Sequence, residues 1–169
     1  MLLQIVGYFW QMCLLRQGPE ALPSSNFVTG IIFAVYLPIA LTVSILASPE
    51  DTFATSIAGV AIGIFIQALV TFLLLRFKNL PSRFRATWSA LLGTNSVMLL
   101  ILLPIILVTI NSEVETLRTF ANSAMWVCFG WSLAIVGNIY HRAVNISILQ
   151  GSAIAFLNEL LAIFMMFTL

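Results

Sequence analysis

Charge is what this chain has least of. Lys, Arg, Asp and Glu make up 8% of its 169 residues, against roughly 25% in an ordinary soluble domain. A water-facing surface needs far more polar groups than that, whereas a lipid-facing one needs almost none. A soluble globule is excluded. The seven Lys/Arg residues are gathered in a few loops rather than spread along a face that could follow a phosphate backbone, which excludes nucleic acid as a partner. Cysteine is scarce as well. Cys13 and Cys128 lie far apart in apolar surroundings, so buried free thiols are expected rather than a disulfide. His141 is the single histidine, and no Cys/His/carboxylate cluster at ligand spacing accompanies it, so no metal and no cofactor is expected. The apolar runs also lack a Ser/His pair, paired Asp residues or a His-Glu-x-x-His helix, which argues against an intramembrane protease and against an enzyme in general.

What the chain has in abundance is long apolar runs, with hydrophobic residues at 61%. A helix needs about 20 apolar residues to cross about 30 Å of hydrocarbon. Runs of that length fall at about 27–46, 53–75, 88–110, 120–140 and 144–168. Ahead of them, Met1 to Leu15 is apolar except for Gln4, Gly7 and Gln11, which form a narrow polar stripe on a helix. Gly18-Pro19 ends this segment before it could span. No cation precedes it and no small-x-small cleavage site follows, so it reads as a retained helix lying in the interface, with Tyr8, Phe9 and Trp10 at headgroup depth. The expected fold is an all-α integral membrane bundle of five transmembrane helices preceded by a short interfacial amphipathic helix over 1–16, all in one membrane domain, 1–169. Ser24 or Ser25 offers an N-cap to the first span. Pro38 and Pro104 fall inside spans one and three, and Thr42 is placed to satisfy the carbonyl that Pro38 frees.

Orientation follows from the stretch RFKNLPSRFR, Arg76 to Arg85, which holds four of the seven cations between two apolar runs. Five crossings put Arg16, Arg76, Lys78, Arg83, Arg85 and Arg142 on one side and leave only Arg118 on the other. Short loops rich in Lys/Arg stay in the cytoplasm. That puts the N-terminus inside and the C-terminus outside, in what reads as a bacterial inner membrane. Asn145-Ile146-Ser147 matches the glycosylation pattern but falls on the inner side. Arg76, Lys78, Arg83 and Arg85 are either a topology signal alone or contacts for anionic lipid headgroups, at about 1 kcal/mol per cation.

Inside the spans, small residues and a few polar ones carry the signal. Gly59 and Gly63 share one helix face and invite close approach of another backbone. Gly130, Ala134 and Asn138 in span four step in register with Ser147, Gly151 and Ala155 in span five, so these two faces are expected to close as an antiparallel hairpin. Glu159 is the one ionisable group deep in a span, where a carboxylate costs about 2.5–3.5 kcal/mol unless paired or protonated. The hairpin would aim it into the bundle toward Asn95, Gln67 or Ser132, with Asn158 beside it. Either Glu159 is a neutral acid donating one interhelical hydrogen bond, or it belongs to a proton or cation path.

The chain resembles the Yip family, five-span membrane proteins named for interacting with Ypt/Rab GTPases, and in particular its prokaryotic members. The resemblance lies in the span count and orientation and in two phrases. RFRATWSALLGTNSVMLLILLPI, Arg83 to Ile105, resembles the family's aromatic/Arg entry into its third span. FGWSLAIVGNIYHRAVNISILQGSAIAFL, Phe129 to Leu157, resembles its Trp-bearing fourth span and Gly-bearing fifth. The resemblance implies a non-enzymatic protein, a scaffold or membrane-organisation component working in the lipid bilayer through a membrane-protein partner or as a homo-oligomer. It supplies no catalytic residue. The alternative is a small transporter or permeation subunit whose polar layer is built around Glu159. A water-reachable cavity touching Glu159 favours transport. A tightly packed Glu159 with one hydrogen-bond partner favours the scaffold.

Overall fold

The computed structural model describes residues 2–23, 25–50 and 52–167, with the side chains of 2–6, 21 and 167 left aside. Its elements are helices throughout: α1 (Leu2–Cys13), α2 (Asn26–Ala47), α3 (Phe53–Phe77), α4 (Phe84–Asn111), α5 (Glu115–Val144) and α6 (Ile148–Phe167). Five of them, α2 to α6, are long and apolar enough to cross a membrane. The all-α membrane bundle expected from the sequence is what forms.

The five long helices close into a ring in the order α2, α4, α5, α6, α3 and back to α2. They alternate in direction, so each interhelical turn falls at one of two ends. At the basic end the Arg83 guanidinium donates to the Ala143 carbonyl at 3.0 Å, and Leu75, Ala143 and Val144 bury together against Leu80 and Phe84. At the opposite end, Gly59 of α3 lies against the thioether of Met166 of α6.

Without a hydrophobic drive between helices in lipid, association rests on close packing and on interhelical hydrogen bonds of about 0.6 kcal/mol each. The ring uses both. Thr29 Oγ1 meets Ser89 Oγ at 2.8 Å between α2 and α4. Thr71 Oγ1 meets Tyr140 Oη at 2.9 Å between α3 and α5. The α5/α6 hairpin is closed by Ser152 Oγ donating to the Leu133 carbonyl at 3.0 Å, and there Gly137 and Gly151 sit backbone to backbone. A Cβ added at Gly151 would stand 2.5 Å from the Gly137 oxygen.

Several local expectations need correction. Span four is longer than the apolar run at both ends, because the helix continues through Glu115 to Arg118 and through His141 to Val144. Hydropathy falls at a charge, whereas a helix ends where its backbone bonds end. At 1.5 Å per residue α5 is about 45 Å long, so its termini stand out of the hydrocarbon. The chain turns at Asn145 instead, whose left-handed conformation (φ 56°) caps α5 as Asn tolerates. Ser147 and Gln150 then form a capping box. Ser147 Oγ accepts from the Gln150 N–H at 3.1 Å, and Gln150 Oε1 accepts from the Ser147 N–H at 3.0 Å. The glycosylation-like triplet is thus a helix junction. Thr42 Oγ1 donates to the carbonyl of Pro38 itself at 2.8 Å, not to the one Pro38 frees. Ser25 is the N-cap of α2 without a side-chain bond, and the alternative, Ser24, lies outside the described residues.

The short helix α1 precedes the spans as expected, but its aromatics do not share one environment. Phe9, Met12 and Cys13 are buried, Trp10 is exposed, and the helix packs on α4 and α5. Gly93 of α4 makes the seat, since a Cβ there would meet the Phe9 ring at 2.2 Å. Trp131 Nε1 of α5 donates to the Cys13 carbonyl at 2.8 Å, satisfying one of the acceptors that the end of a helix leaves open. Burial pushes the Cys13 thiol up to about 11, so it stays a neutral thiol. Of the expected polar stripe, Gln11 is bonded to Gln17, and the Gln4 side chain lies outside the described set.

Candidate functional site

The four polar residues singled out in the spans come together. Gln67 from α3, Asn95 from α4, and Asn158 and Glu159 from α6 line one space at mid-depth. Asn95 Nδ2 donates to Gln67 Oε1 at 3.3 Å. Gln67 and Asn158 are buried and Asn95 is half-buried. Glu159 is exposed and lines the space, and among the described residues it has no hydrogen-bond or ion-pair partner.

The space has two parts. A cleft of about 300 Å³ runs between α2, α3, α4 and α6, from Ala47 and Met166 at the end away from the basic loops down to Glu159. Its walls are small or apolar, with Ala40, Val43, Gly63 and Ala162, and Tyr36 and Ser44 add hydroxyls. Below the Gln67–Asn95 pair lies a cavity of about 30 Å³, where Ser132 and Tyr140 join the same four residues. Under that, the Thr71–Tyr140 bond and the Leu75, Ala143 and Val144 cluster shut the bundle toward the basic end. The result is a cleft above a closed layer, with a carboxylate at its floor.

The small residues distribute differently from the expectation. Gly63 lines the cleft with nothing within 4 Å of an added Cβ, and Gly59 meets only the flexible Met166. Gly151 and Ala155 do face α5, where Ala155 borders the small cavity. Their counterparts on α5 are Leu133, Val136 and Gly137 rather than Gly130 and Ala134. Gly130 is exposed and open, Ala134 is half-buried, and Asn138 is buried with its Nδ2 unpartnered. A four-residue step finds a face only up to a rotation of one position, or 100°.

The cations at the basic end do not form one cluster. Arg76, Lys78, Arg83 and Arg85 are all exposed. Arg83 faces a second cleft, of about 370 Å³, with Arg142, Glu20, Ser82 and Thr87, while Arg85 flanks a separate crevice with Phe72, Pro81 and Phe84. Arg142, expected on this side but outside the set of lipid contacts, stands there as well. It is carried in by the extension of α5, and its side chain lies against Gly18. Trp88 is buried and stacked on Phe84 at 6.1 Å, Trp126 is exposed, and no group of three His/Cys/Asp/Glu that could hold a metal occurs among the described residues.

Helix length, apolar surface and a polar layer enclosed within the ring define an integral membrane protein of the helical-bundle class. Comparison with protein-family models, with curated proteins and with solved structures finds no match.

Proposed function

We propose that this protein is a small, non-enzymatic transporter or permeation subunit in which solute reaches Glu159 through the cleft between α2, α3, α4 and α6. The observation that carries the reading is the cleft itself, about 300 Å³ in volume and ending on an unpaired carboxylate. A charged side chain facing the interior of a membrane bundle is expensive to keep and is expected where it handles a charged or polar solute. The closed layer from Tyr140 to Leu75 makes this an outward-open form, with the basic end in the cytoplasm of a bacterium and the cleft facing the periplasm. Passage then requires the Thr71–Tyr140 layer to part, by a shift of α3 against α5.

The reading is tested by reconstituting the protein in liposomes and measuring uptake of labelled small cations and solutes. Uptake should fall at least about tenfold in Glu159→Gln, a substitution that keeps the shape and removes the charge. Uptake unchanged by Glu159→Gln rules out this route.

A second reading, the partner-dependent scaffold implied by the Yip resemblance, is favoured by Gly130. This glycine faces outward from α5 with nothing beside it, as a helix of another subunit would require. Gly130→Leu should abolish co-purification of a partner or second copy under this reading and leave it unchanged under the first.

A further inference from the structure

The small cavity beneath the Gln67–Asn95 pair is lined by oxygens whose protons are already committed. Thr71 Oγ1 donates to the Gln67 carbonyl at 2.7 Å, and a hydroxyl has one proton. In the 2.9 Å bond between Thr71 and Tyr140 the donor is therefore Tyr140, whose oxygen is left as an acceptor only. Ser132 Oγ donates to the Phe129 carbonyl at 2.7 Å, which leaves it the same way. Asn158 Oδ1 is buried and has no partner, on a side chain only 7% exposed. The Glu159 carboxylate adds acceptors and a negative charge. Against these stand the amide N–H groups of Gln67, Asn95 and Asn158, and that of Asn95 already serves Gln67 Oε1.

A set of acceptors lining one cavity beside a carboxylate that no cation pairs suits an electron-poor guest. No Lys, Arg or His lines either part of the space. A space of about 30 Å³ has room for one or two water-sized species, so the guest is a small ion that has shed most of its hydration. A monovalent ion neutralises the one carboxylate, whereas a divalent ion would leave a net positive charge buried in a low dielectric. Hard cations of this kind take carboxylate, amide and hydroxyl oxygens as ligands.

We infer that this cavity is a binding site for one dehydrated alkali cation of sodium or potassium size, held by Glu159, Asn158 Oδ1, Ser132 Oγ and Tyr140 Oη. The inference rests on the permeation reading for its purpose and not for its geometry. The site sits where the cleft ends, so an ion entering from the open end reaches it without crossing the closed layer.

The test uses the full chain purified in mild detergent and its thermal unfolding in sodium, potassium or choline chloride at equal ionic strength, with choline too large for the cavity. Binding at about a hundredfold excess over the dissociation constant raises the unfolding temperature on the order of 5 °C in sodium or potassium over choline. Whichever ion gives the larger rise is the preferred guest. The rise should vanish in Glu159→Gln and shrink in Ser132→Ala, a small change that guards against loss of fold in the first variant. Equal unfolding in all three salts means that water alone fills the cavity, and a rise that survives in Glu159→Gln places the ion elsewhere. Either result overturns the inference. Liposome uptake separates the two ideas, since uptake without cation-specific stabilisation removes only this site, and stabilisation without uptake removes only the transport reading.

Discussion

The two halves of this bundle are made from the same kinds of residue and packed in opposite ways. In the basic half, α4 is buried continuously from Thr87 to Thr94 and α5 from Ile135 to Tyr140. Most of the interhelical hydrogen bonds also lie there, and α1 is wedged in as a further layer. In the other half the helices diverge around a cleft walled by Ala, Val and Gly, and the buried positions thin out to Val43, Ser56, Ile106 and Ala121 among a few others. Hydrophobicity cannot distinguish the halves, because lipid is as apolar as any core. The difference lies in where small residues meet backbone and where they meet nothing. Gly137 and Gly151 bring two backbones together, whereas Gly63 leaves room. One half is closed and the other holds the cleft.

Matched substitutions sharpen the contrast. The largest effect is expected from Leu75→Ala, which empties a 1% exposed position in the closed half and should cost about 2–5 kcal/mol. Its counterpart Leu99→Ala on the cleft wall should cost less than about 1 kcal/mol. Comparable losses at the two sites in chemical unfolding would erase the distinction. Glycine gives a change of sign. Gly151→Ala drives a methyl into the Gly137 carbonyl and should destabilise by about 1–3 kcal/mol, while Gly63→Ala meets nothing and should stabilise by up to about 1 kcal/mol through helix propensity. Smallest are the single bonds. Tyr140→Phe removes the α3–α5 bond and Trp131→Phe frees the Cys13 carbonyl, each at about 0.6–1 kcal/mol. Tyr140→Phe should also raise solute uptake by loosening the closed layer, whereas Trp131→Phe should leave it unchanged.

Much of this architecture is legible in the residues. The first two spans fall within about two residues of the apolar runs, since a stretch without charge from Phe27 to Leu46 has no other economical structure in lipid. Glu159, Asn95, Gln67 and Asn158 could be paired because a polar side chain in a span must face the bundle or a cavity, and few inward faces exist. Ser132 was foreseen on the same ground. What escaped were features that depend on a neighbour. Nothing in the sequence marks Tyr36 or Tyr140 as polar partners, and only the contact of α5 with Thr71 makes Tyr140 part of the polar column. The seat of α1 depends on Gly93 and Trp131, which carry no mark in sequence that pairs them with Phe9 and Cys13. The ends of α5 escape a hydropathy reading, because hydropathy stops at Arg118 and His141 while helical bonding does not.

The proposed passage admits water at one end only, and two near-isosteric substitutions can ask this directly. Ser44→Cys places a thiol on the cleft wall and Ser89→Cys places one in the closed half, against native Cys13 and Cys128, which are buried and free. A membrane-impermeant thiol reagent reacts with a thiol that water can reach and ionise. The account predicts labelling of Ser44→Cys only from the side opposite the arginine-bearing loops and no labelling of Ser89→Cys from either side. Equal labelling of the two, or silence of Ser44→Cys from both sides, would contradict it.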